Sequence, residues 1–286
     1  MHFYVTTLTF TNNNLHSAGV TGEGQVVQCS DSGLDQDNCY FYDNSGDVTT
    51  STYTNYYLDQ QHTASSKRKV IQYNAFHNDA RDDDGGHGTH VVGSIVGHKS
   101  PSGSSGGESD GYASGIAKDA KVAFFDLGVT GAGGLSTPTD VSSLFTPGRV
   151  SAGANLHSAS WGSTGATYQQ SDRNFDAYQY AHPDFLIMVA AGNDGPVSGS
   201  IGSPANAKNI ISVGATESYG DDLNWYQKGF EYMAYFSSRG PTTDGRKKPD
   251  LLAPGYFILS ASGIHSQTAE CDLDDAGIRY EAGTSM

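Results

Sequence analysis

The chain has 286 residues, enough for one large α/β domain with a sizeable core, and no stretch has the composition of a linker. It carries 16 Lys and Arg residues against 31 Asp and Glu residues, a formal charge of −15. This charge repels nucleic acid, so we expect no nucleic-acid partner. We also expect no membrane span and no export signal, because apolar runs of about 20 residues and a basic, then apolar, leader are both missing.

Three cysteines cannot all pair within the chain, so the sequence does not predict a fold built on disulfides. Cys29 lies in an apolar run, where a buried thiol is the simplest interpretation. Cys39 and Cys271 lie in polar segments, and a bridge between them stays open.

Short apolar runs alternate along the chain with glycine-rich turns and segments of helical length. The runs have the length and the Val, Ile and Phe content of strands that are buried on both faces: 25–31, 121–127, 155–160, 185–192 and 209–215. Helical segments are predicted between them at 87–97, 169–182 and, despite Pro147 and Gly148, 142–154. This alternation predicts an α/β fold of three layers, with helices on both faces of a mostly parallel, twisted sheet.

Polar groups follow several of these runs, at the sheet edge where such folds gather reactive side chains. Asp31 ends the first strand, Asn193 follows the run 185–192, His87 opens a helix, and Ser285 follows a Gly-Thr turn. Taken singly, each has a simpler interpretation as a cap, a turn residue or a surface serine. A zinc pair is not favoured for His87 and His90, because they lie three residues apart with Gly and Thr between them.

The order of these motifs resembles that of a known family. VVQCSDSGLD, DGGHGTHVVGSIVG, SASWGS, VAAGNDGP and AGTSM resemble the signature segments of the subtilisin-like serine proteases, in the family order Asp, His, Asn, Ser. Segments 202–215, 236–255 and 257–261 also look like family segments, so the likeness covers roughly residues 18–286.

The resemblance implies a subtilisin-like fold and a serine endopeptidase that needs no cofactor for its chemistry. Asp31 would orient His87, which would take the proton from the nucleophile Ser285. The side chain of Asn193 and the backbone N–H of Ser285 would hold the oxyanion. Polypeptide substrates, an inhibitory propeptide or protein inhibitors are the implied partners of a monomer located outside the cell or in the secretory pathway.

The resemblance also assigns substrate-binding segments. Ser160, Trp161 and Gly162 would pair with an extended peptide substrate, and Ala190, Ala191 and Gly192 would form the opposite wall of the main specificity pocket. A second flanking strand would include Gly131, Gly133 and Gly134. Core packing is the alternative for Trp161.

Acidic clusters occur at 79–84, 108–110, 221–222 and 272–275, and the resemblance implies structural calcium without assigning ligands. None of the clusters matches an EF-hand loop. Asp82, Asp83 and Asp84 are expected to form a solvated loop that complements the helix N-terminus, or to select basic substrate side chains as in the kexin-type subtilases.

Two departures from the family remain. The interval between Asp31 and His87 exceeds that of compact bacterial members, which predicts a polar surface insertion at about 38–80. The last residue, Met286, directly follows Ser285, where the family continues into a long buried helix. A catalytically inactive fragment or a protein-binding scaffold is therefore the alternative function.

Overall fold

The computed structural model describes residues 14–52, 62–77, 82, 85–99, 113–129, 134–218, 229–263 and 277–286. The chain forms two compact units. The first unit contains residues 19–158 and 259–279, and the second contains residues 1–18, 159–258 and 280–286. The expectation of a single domain over 1–286 stays a prediction.

The first unit is built on a sheet with the strand order β2-β3-β4-β1-β5. The pairs β1/β4, β3/β4 and β2/β3 are parallel, and in the register of β1 with β4 Asp31 stands opposite Asp126. The strands are β1 (Val26–Asp31), β2 (Ser51–Thr52), β3 (Val70–Ala75), β4 (Lys121–Asp126) and β5 (Leu156–Ala159). Parallel strands need crossover connections, and among the described residues helical segments lie between β3 and β4 and between β4 and β5.

Two helical segments belong to this unit. Helix α2 (His87–Val96) confirms the prediction for 87–97. The segment 142–154 forms a short helix α3 (Ser142–Thr146) that continues into a π-helical turn (Pro147–Ser151), so Pro147 changes the helix type and the crossover remains helical. A separate two-stranded sheet pairs β9 (Ile258–Ala261) with β10 (Ile278–Glu281).

The core of the first unit lies where β1 and β4 are buried along nearly their whole length. One apolar cluster joins these strands to α2 and includes Val27, Cys29, Val92, Val96, Val122 and Phe124. Helix α2 lies close to β9 because Gly93 has no side chain: a Cβ there would stand 2.4 Å from Ser260 Oγ and 2.9 Å from Ala261 Cβ. Gly93 thus allows the close packing that the small residues of this helix predict.

The stretch 38–80, predicted as a surface insertion, contains several buried residues among those that the structure describes. Its strand β3 is buried throughout, and Tyr40 and Phe41 are each 2% exposed. The Arg68 guanidinium holds the region together by donating to the carbonyl oxygens of Tyr40, Tyr42 and His98. These described residues belong to the core, whereas 53–61 and 78–80 lie outside the described residues, so the surface insertion as a whole stays a prediction.

The two cysteines that the structure describes, Cys29 and Cys39, are both buried. Cys29 is fully buried, and burial followed by the nearby Asp31 raises the pKa of its thiol well above the ordinary range, so it stays protonated. Cys39 is 1% exposed, although its segment is polar. Cys271 lies outside the described residues, so the bridge to Cys39 stays a prediction.

The second unit contains the parallel strands β6 (Leu186–Ala190), β7 (Ile211–Thr216) and β8 (Leu251–Pro254), in that order. It also contains α1 (Asn14–Ser17) and α4 (Gln170–Ala181), which confirms the helix predicted for 169–182. A capping box starts α4, with Asp172 Oδ2 accepting the Gln169 N–H at 2.6 Å. Among the described residues, no helix is long and apolar enough to cross a membrane.

Acid should destabilise the first unit through His157 on β5. This ring is fully buried, with Nε2 2.9 Å from Ser30 Oγ and the Phe145 ring packed edge-on at 4.8 Å. Burial lowers its pKa from 6.5 to about 3. Between these values the unfolded chain binds a proton that the folded chain excludes, so the free energy of unfolding falls as the pH drops through this window and is fully retained above it.

Urea unfolding followed at several pH values between 7.5 and 4 measures this effect. The variant His157→Gln does not titrate and should show a shallower loss of stability over the same range. Identical slopes for the two proteins would contradict the prediction.

Candidate active site

Asp31 and His87 form a hydrogen-bonded pair in the first unit. Asp31, the last residue of β1, is 1% exposed, and its Oδ1 accepts His87 Nδ1–H at 2.7 Å and the Ser32 N–H at 2.8 Å. His87 is the first residue of α2, and 34% of its side chain is exposed. With Nδ1 donating to the carboxylate, Nε2 carries the lone pair, so the ring is held in the tautomer of a general base.

His90 has a different environment from His87. It is completely buried, and its Nε2–H donates to the carbonyl oxygen of Arg279 at 3.2 Å. Its own carbonyl oxygen accepts the Ser260 hydroxyl at 2.8 Å. These contacts agree with a structural role.

Ser285 and Asn193 lie in the second unit, linked through Thr284 and Ser160. The Ser285 hydroxyl donates to the Ser160 carbonyl at 2.9 Å, and the Ser160 hydroxyl donates to the Ser285 carbonyl at 2.8 Å. Asn193 Oδ1 accepts the Thr284 N–H at 2.9 Å and the Thr284 hydroxyl at 3.0 Å. Because Oδ1 is engaged by Thr284, Nδ2 is the end of the Asn193 amide that can donate to a ligand.

These residues surround a cavity of about 320 Å³ in the second unit, a size typical of ligand sites. Its lining includes eight residues that the resemblance assigns to catalysis or substrate binding: Ser160, Trp161, Gly162, Ala190, Ala191, Gly192, Asn193 and Ser285. It also includes six that the sequence analysis did not single out: Ser163, Thr164, Asp194, Gly202, Ser203 and Thr284.

Backbone pairing joins two residues that line this cavity. Ser163 and Ser203 form an antiparallel bridge, with N–H to carbonyl distances of 2.8 and 3.1 Å. The Ser203 hydroxyl donates to Asp172 Oδ2 at 2.8 Å, which ties the cavity to the first turn of α4. The Trp161 ring packs edge-on against Phe175 of the same helix at 5.9 Å, so Trp161 contributes to packing as well as to the lining.

The other predicted substrate residues are only partly covered. Gly131 and Gly133 lie outside the described residues, whereas Gly134 is exposed and follows them directly. The next residue, Leu135, forms an antiparallel bridge with Gly128 in the first unit. Binding of substrate by this segment stays a prediction.

No calcium ligands are assigned by the structure. Within the part of the chain that it describes, no group of three or more His, Cys, Asp or Glu side chains is placed to hold a metal ion. Apart from Asp82, the acidic clusters at 79–84, 108–110, 221–222 and 272–275 lie outside the described residues.

Asp82 is not the solvated residue that its sequence predicts. It is 0% exposed and accepts hydrogen bonds from Ser32 and Thr89. A carboxylate with these donors is stable in the interior, whereas a run of three aspartates in sequence indicates solvent. Asp83 and Asp84 lie outside the described residues.

The sequence analysis did not predict a role for Ser32 or Thr284. Ser32 hydrogen-bonds to Asp31 and Gly88, and Thr284 hydrogen-bonds to Asn193, although each lies next to a predicted triad residue in sequence.

Comparison with known proteins identifies relatives over nearly the whole chain. The sequence model of the subtilase family matches residues 22–286. The chain is 32% identical to the serine protease/ABC transporter B family protein tagD of Dictyostelium discoideum, an alignment covering 97% of this chain and 18% of that protein. It is 34% identical to the serine protease AprX of Bacillus subtilis, over 71% of this chain and 46% of that protein. The chain thus spans less than a fifth of the length of its Dictyostelium relatives.

Solved structures share the fold. Fervidolysin from Fervidobacterium pennivorans aligns with a TM-score of 0.61 and 21% identity, covering 96% of this chain and 36% of that one. Sphericase aligns with a TM-score of 0.58 and 22% identity, covering 93% and 74% of the two chains. These likenesses confirm the three-layer α/β/α fold with its mostly parallel sheet. By its sequence from residue 22 to residue 286, the chain belongs to the subtilase family.

Proposed function

We propose that the protein is a serine endopeptidase in which Asp31, His87 and Ser285 form the catalytic triad. The observation that carries the proposal is the 2.7 Å hydrogen bond between His87 Nδ1 and the buried Asp31, the two residues that the resemblance assigns as base and acid. A carboxylate behind an imidazole serves to orient the ring and to stabilise its charged form.

The chemistry follows from these roles. His87 Nε2 takes the proton of the Ser285 hydroxyl as that oxygen attacks the scissile carbonyl, and an acyl-enzyme and a free amine result after the proton passes to the leaving nitrogen. In the second half, His87 takes a proton from water as the water attacks the acyl-enzyme. The carboxylic acid product then leaves, and Ser285 regains its proton. Asp31 keeps its negative charge throughout and lowers the free energy of the imidazolium that forms twice in each turnover.

Asn193 stabilises the negative oxygen of the two tetrahedral intermediates. Its Nδ2 donates to that oxygen together with the backbone N–H of Ser285. The two bonds from Thr284 to Oδ1 support this role, because they hold the amide in one orientation before substrate binds.

The substrate is a polypeptide whose side chain enters the cavity beside Ser285. The small residues Ala190, Ala191 and Gly192 leave room there for a large apolar or aromatic group. Catalysis in this family needs no cofactor, and structural calcium is part of the proposal without assigned ligands. The proposal further includes that the protein is a monomer located outside the cell or in the secretory pathway. Its inhibitor would be a propeptide or another protein.

Replacing Asn193 with alanine should lower kcat by about 10²- to 10³-fold and leave KM nearly unchanged, the magnitude known for the corresponding donor of subtilisin. The physical reason is that the amide bonds the oxyanion, which exists only after attack. Steady-state kinetics on a peptide substrate measure both constants. A rise in KM at constant kcat would contradict the role.

Two variants of Thr284 test the orientation of the Asn193 amide. Thr284→Val removes one bond to Oδ1 and should give an intermediate loss of kcat, whereas Thr284→Ser keeps the hydroxyl and should keep kcat.

A serine-directed fluorophosphonate probe and a library of internally quenched peptides test the proposal as a whole. The protein at its natural length should be labelled by the probe and should cleave peptides. A folded protein that is neither labelled nor active, but binds other proteins, would favour the inactive scaffold instead.

A further inference from the structure

Asp82 is a buried carboxylate that the triad itself does not use. It is 0% exposed in the first unit, and a buried charge is costly unless it is hydrogen-bonded. Burial raises the pKa of its carboxyl group, the bonds from Thr89 and Ser32 oppose this, and Asp31 raises the pKa further. The hydrogen bonds that Asp82 accepts offset this cost and fix the positions of the groups that donate them.

Both oxygens of Asp82 accept hydrogen bonds. Oδ1 accepts the Ser32 hydroxyl at 2.8 Å. Oδ2 accepts the N–H of Thr89 at 2.8 Å and its hydroxyl at 2.6 Å. One carboxylate therefore joins the turn that follows β1 to the first turn of α2.

The partner Ser32 continues to the Asp31–His87 pair. The Ser32 hydroxyl accepts the N–H of Gly88, the residue after His87, at 3.0 Å. The Ser32 N–H donates to Asp31 Oδ1 at 2.8 Å, the same oxygen that accepts His87 Nδ1–H. Asp82 thereby orients the Ser32 hydroxyl so that its oxygen faces the N–H of Gly88. Ser32 thus contacts Asp31 through its backbone N–H and the residue after His87 through its hydroxyl.

Thr89 makes a second connection between the same two segments. Its hydroxyl donates to Asp82 and accepts the N–H of Asp35 at 2.9 Å. The network thus ties the β1 turn to α2 at two separate points.

Two glycines bring the surrounding backbone close to the carboxylate and its partner Thr89. A Cβ on Gly263 would stand 2.9 Å from Thr89 Oγ1 and 3.1 Å from Asp82 Oδ2. Gly86, at φ 78°, meets the backbone of Gly263 in the same way, with an added Cβ 2.7 Å from its nitrogen. The backbone of Gly263 therefore packs directly against Thr89 and Asp82, so the carboxylate lies in a closely packed part of the described structure.

We propose that Asp82 is a positioning residue that fixes His87 against Asp31 through Ser32 and Thr89. The inference rests on the proposed function, because it assigns Asp82 to the geometry of that proton-transfer pair. Misplacement of a catalytic base by about 1 Å can cost 10²-fold in rate without weakening substrate binding.

Kinetics of four variants at natural length test the inference. Asp82→Ala should lower kcat per active site by about 10- to 100-fold with KM within about twofold. Asp82→Asn keeps an acceptor for Thr89 and should lose less. Thr89→Val removes the hydroxyl and should lower kcat, whereas Thr89→Ser restores it and should approach the unsubstituted protein.

A matched variant separates positioning from simple loss of stability. Val122→Ala removes buried methyl groups near the amino end of β4, away from the pair, and should lower the Tm without changing kcat per active site. Active sites are counted by the fluorophosphonate probe, so an unfolded fraction does not enter kcat.

Proton NMR gives a readout that needs no activity. The His87 Nδ1 proton, shared with Asp31, should give a low-field resonance that is present in Val122→Ala and Thr89→Ser and is lost or shifted in Asp82→Ala. If the protein is inactive but the resonance behaves in this way, the proposed function fails and the positioning role stands. If Asp82→Ala keeps both the resonance and kcat while its Tm falls as in Val122→Ala, the inference is overturned.

Discussion

Replacing Ser285 with alanine is expected to lower kcat by about 10⁶-fold, the magnitude known for the loss of the nucleophile in subtilisin. Without the hydroxyl no acyl-enzyme forms, and the remaining cavity and Asn193 only bind the peptide. The substitution removes one hydrogen bond, to the Ser160 carbonyl, so the fold should persist. Hydrolysis of a quenched peptide and labelling by the fluorophosphonate probe should both disappear, while inhibitor-like peptides still bind.

Ser198→Ala is the matched control for this result. Ser198 is an exposed serine of the same unit, and its hydroxyl donates to the Gly240 carbonyl at 3.2 Å. Its variant should be labelled and should turn over substrate as the unsubstituted protein does. Persistent labelling of Ser285→Ala would show that the probe reacts elsewhere and would remove Ser285 from the role of nucleophile.

Asp31→Asn should lower kcat by about 10⁴-fold, as the same change does in the serine protease triad. The amide keeps the shape of the carboxylate but loses its charge, so the imidazolium formed by His87 is no longer stabilised from 2.7 Å away in a buried site. KM should change little, because the charge acts on the transition state. Single-turnover kinetics with an ester substrate measure the acylation step directly.

Asp126→Asn provides a control of matched burial. Asp126 stands opposite Asp31 in the register of β4 with β1, is also 1% exposed, and accepts hydrogen bonds from the Tyr73 hydroxyl and the Gly128 N–H. Its variant should lose stability with kcat within about threefold of the unsubstituted value. An equal loss of kcat in both variants would indicate that buried charge at this edge stabilises the fold and that Asp31 has no special role.

The sequence by itself determined the fold class and the local motifs. Strands β1, β4, β5, β6 and β7 fall within two residues of the predicted runs, because a strand buried on both faces must be apolar throughout and short. Helix α2 was predictable from its length and its small residues. The pairing of Asp31 with His87 was also accessible, since the two residue types recur in one family order and a carboxylate at a strand end needs a donor.

Only the tertiary structure decided which polar residues are buried and what they hold. The three aspartates at 82–84 look alike in sequence, yet Asp82 is contacted by Thr89 of the next helix and by Ser32 and Gly263 from two distant segments. The lining by Ser163 and Ser203 depends in the same way on a bridge between residues forty positions apart. A polar group can be buried where other segments of the chain supply hydrogen-bond partners for it. Local composition does not reveal these partners.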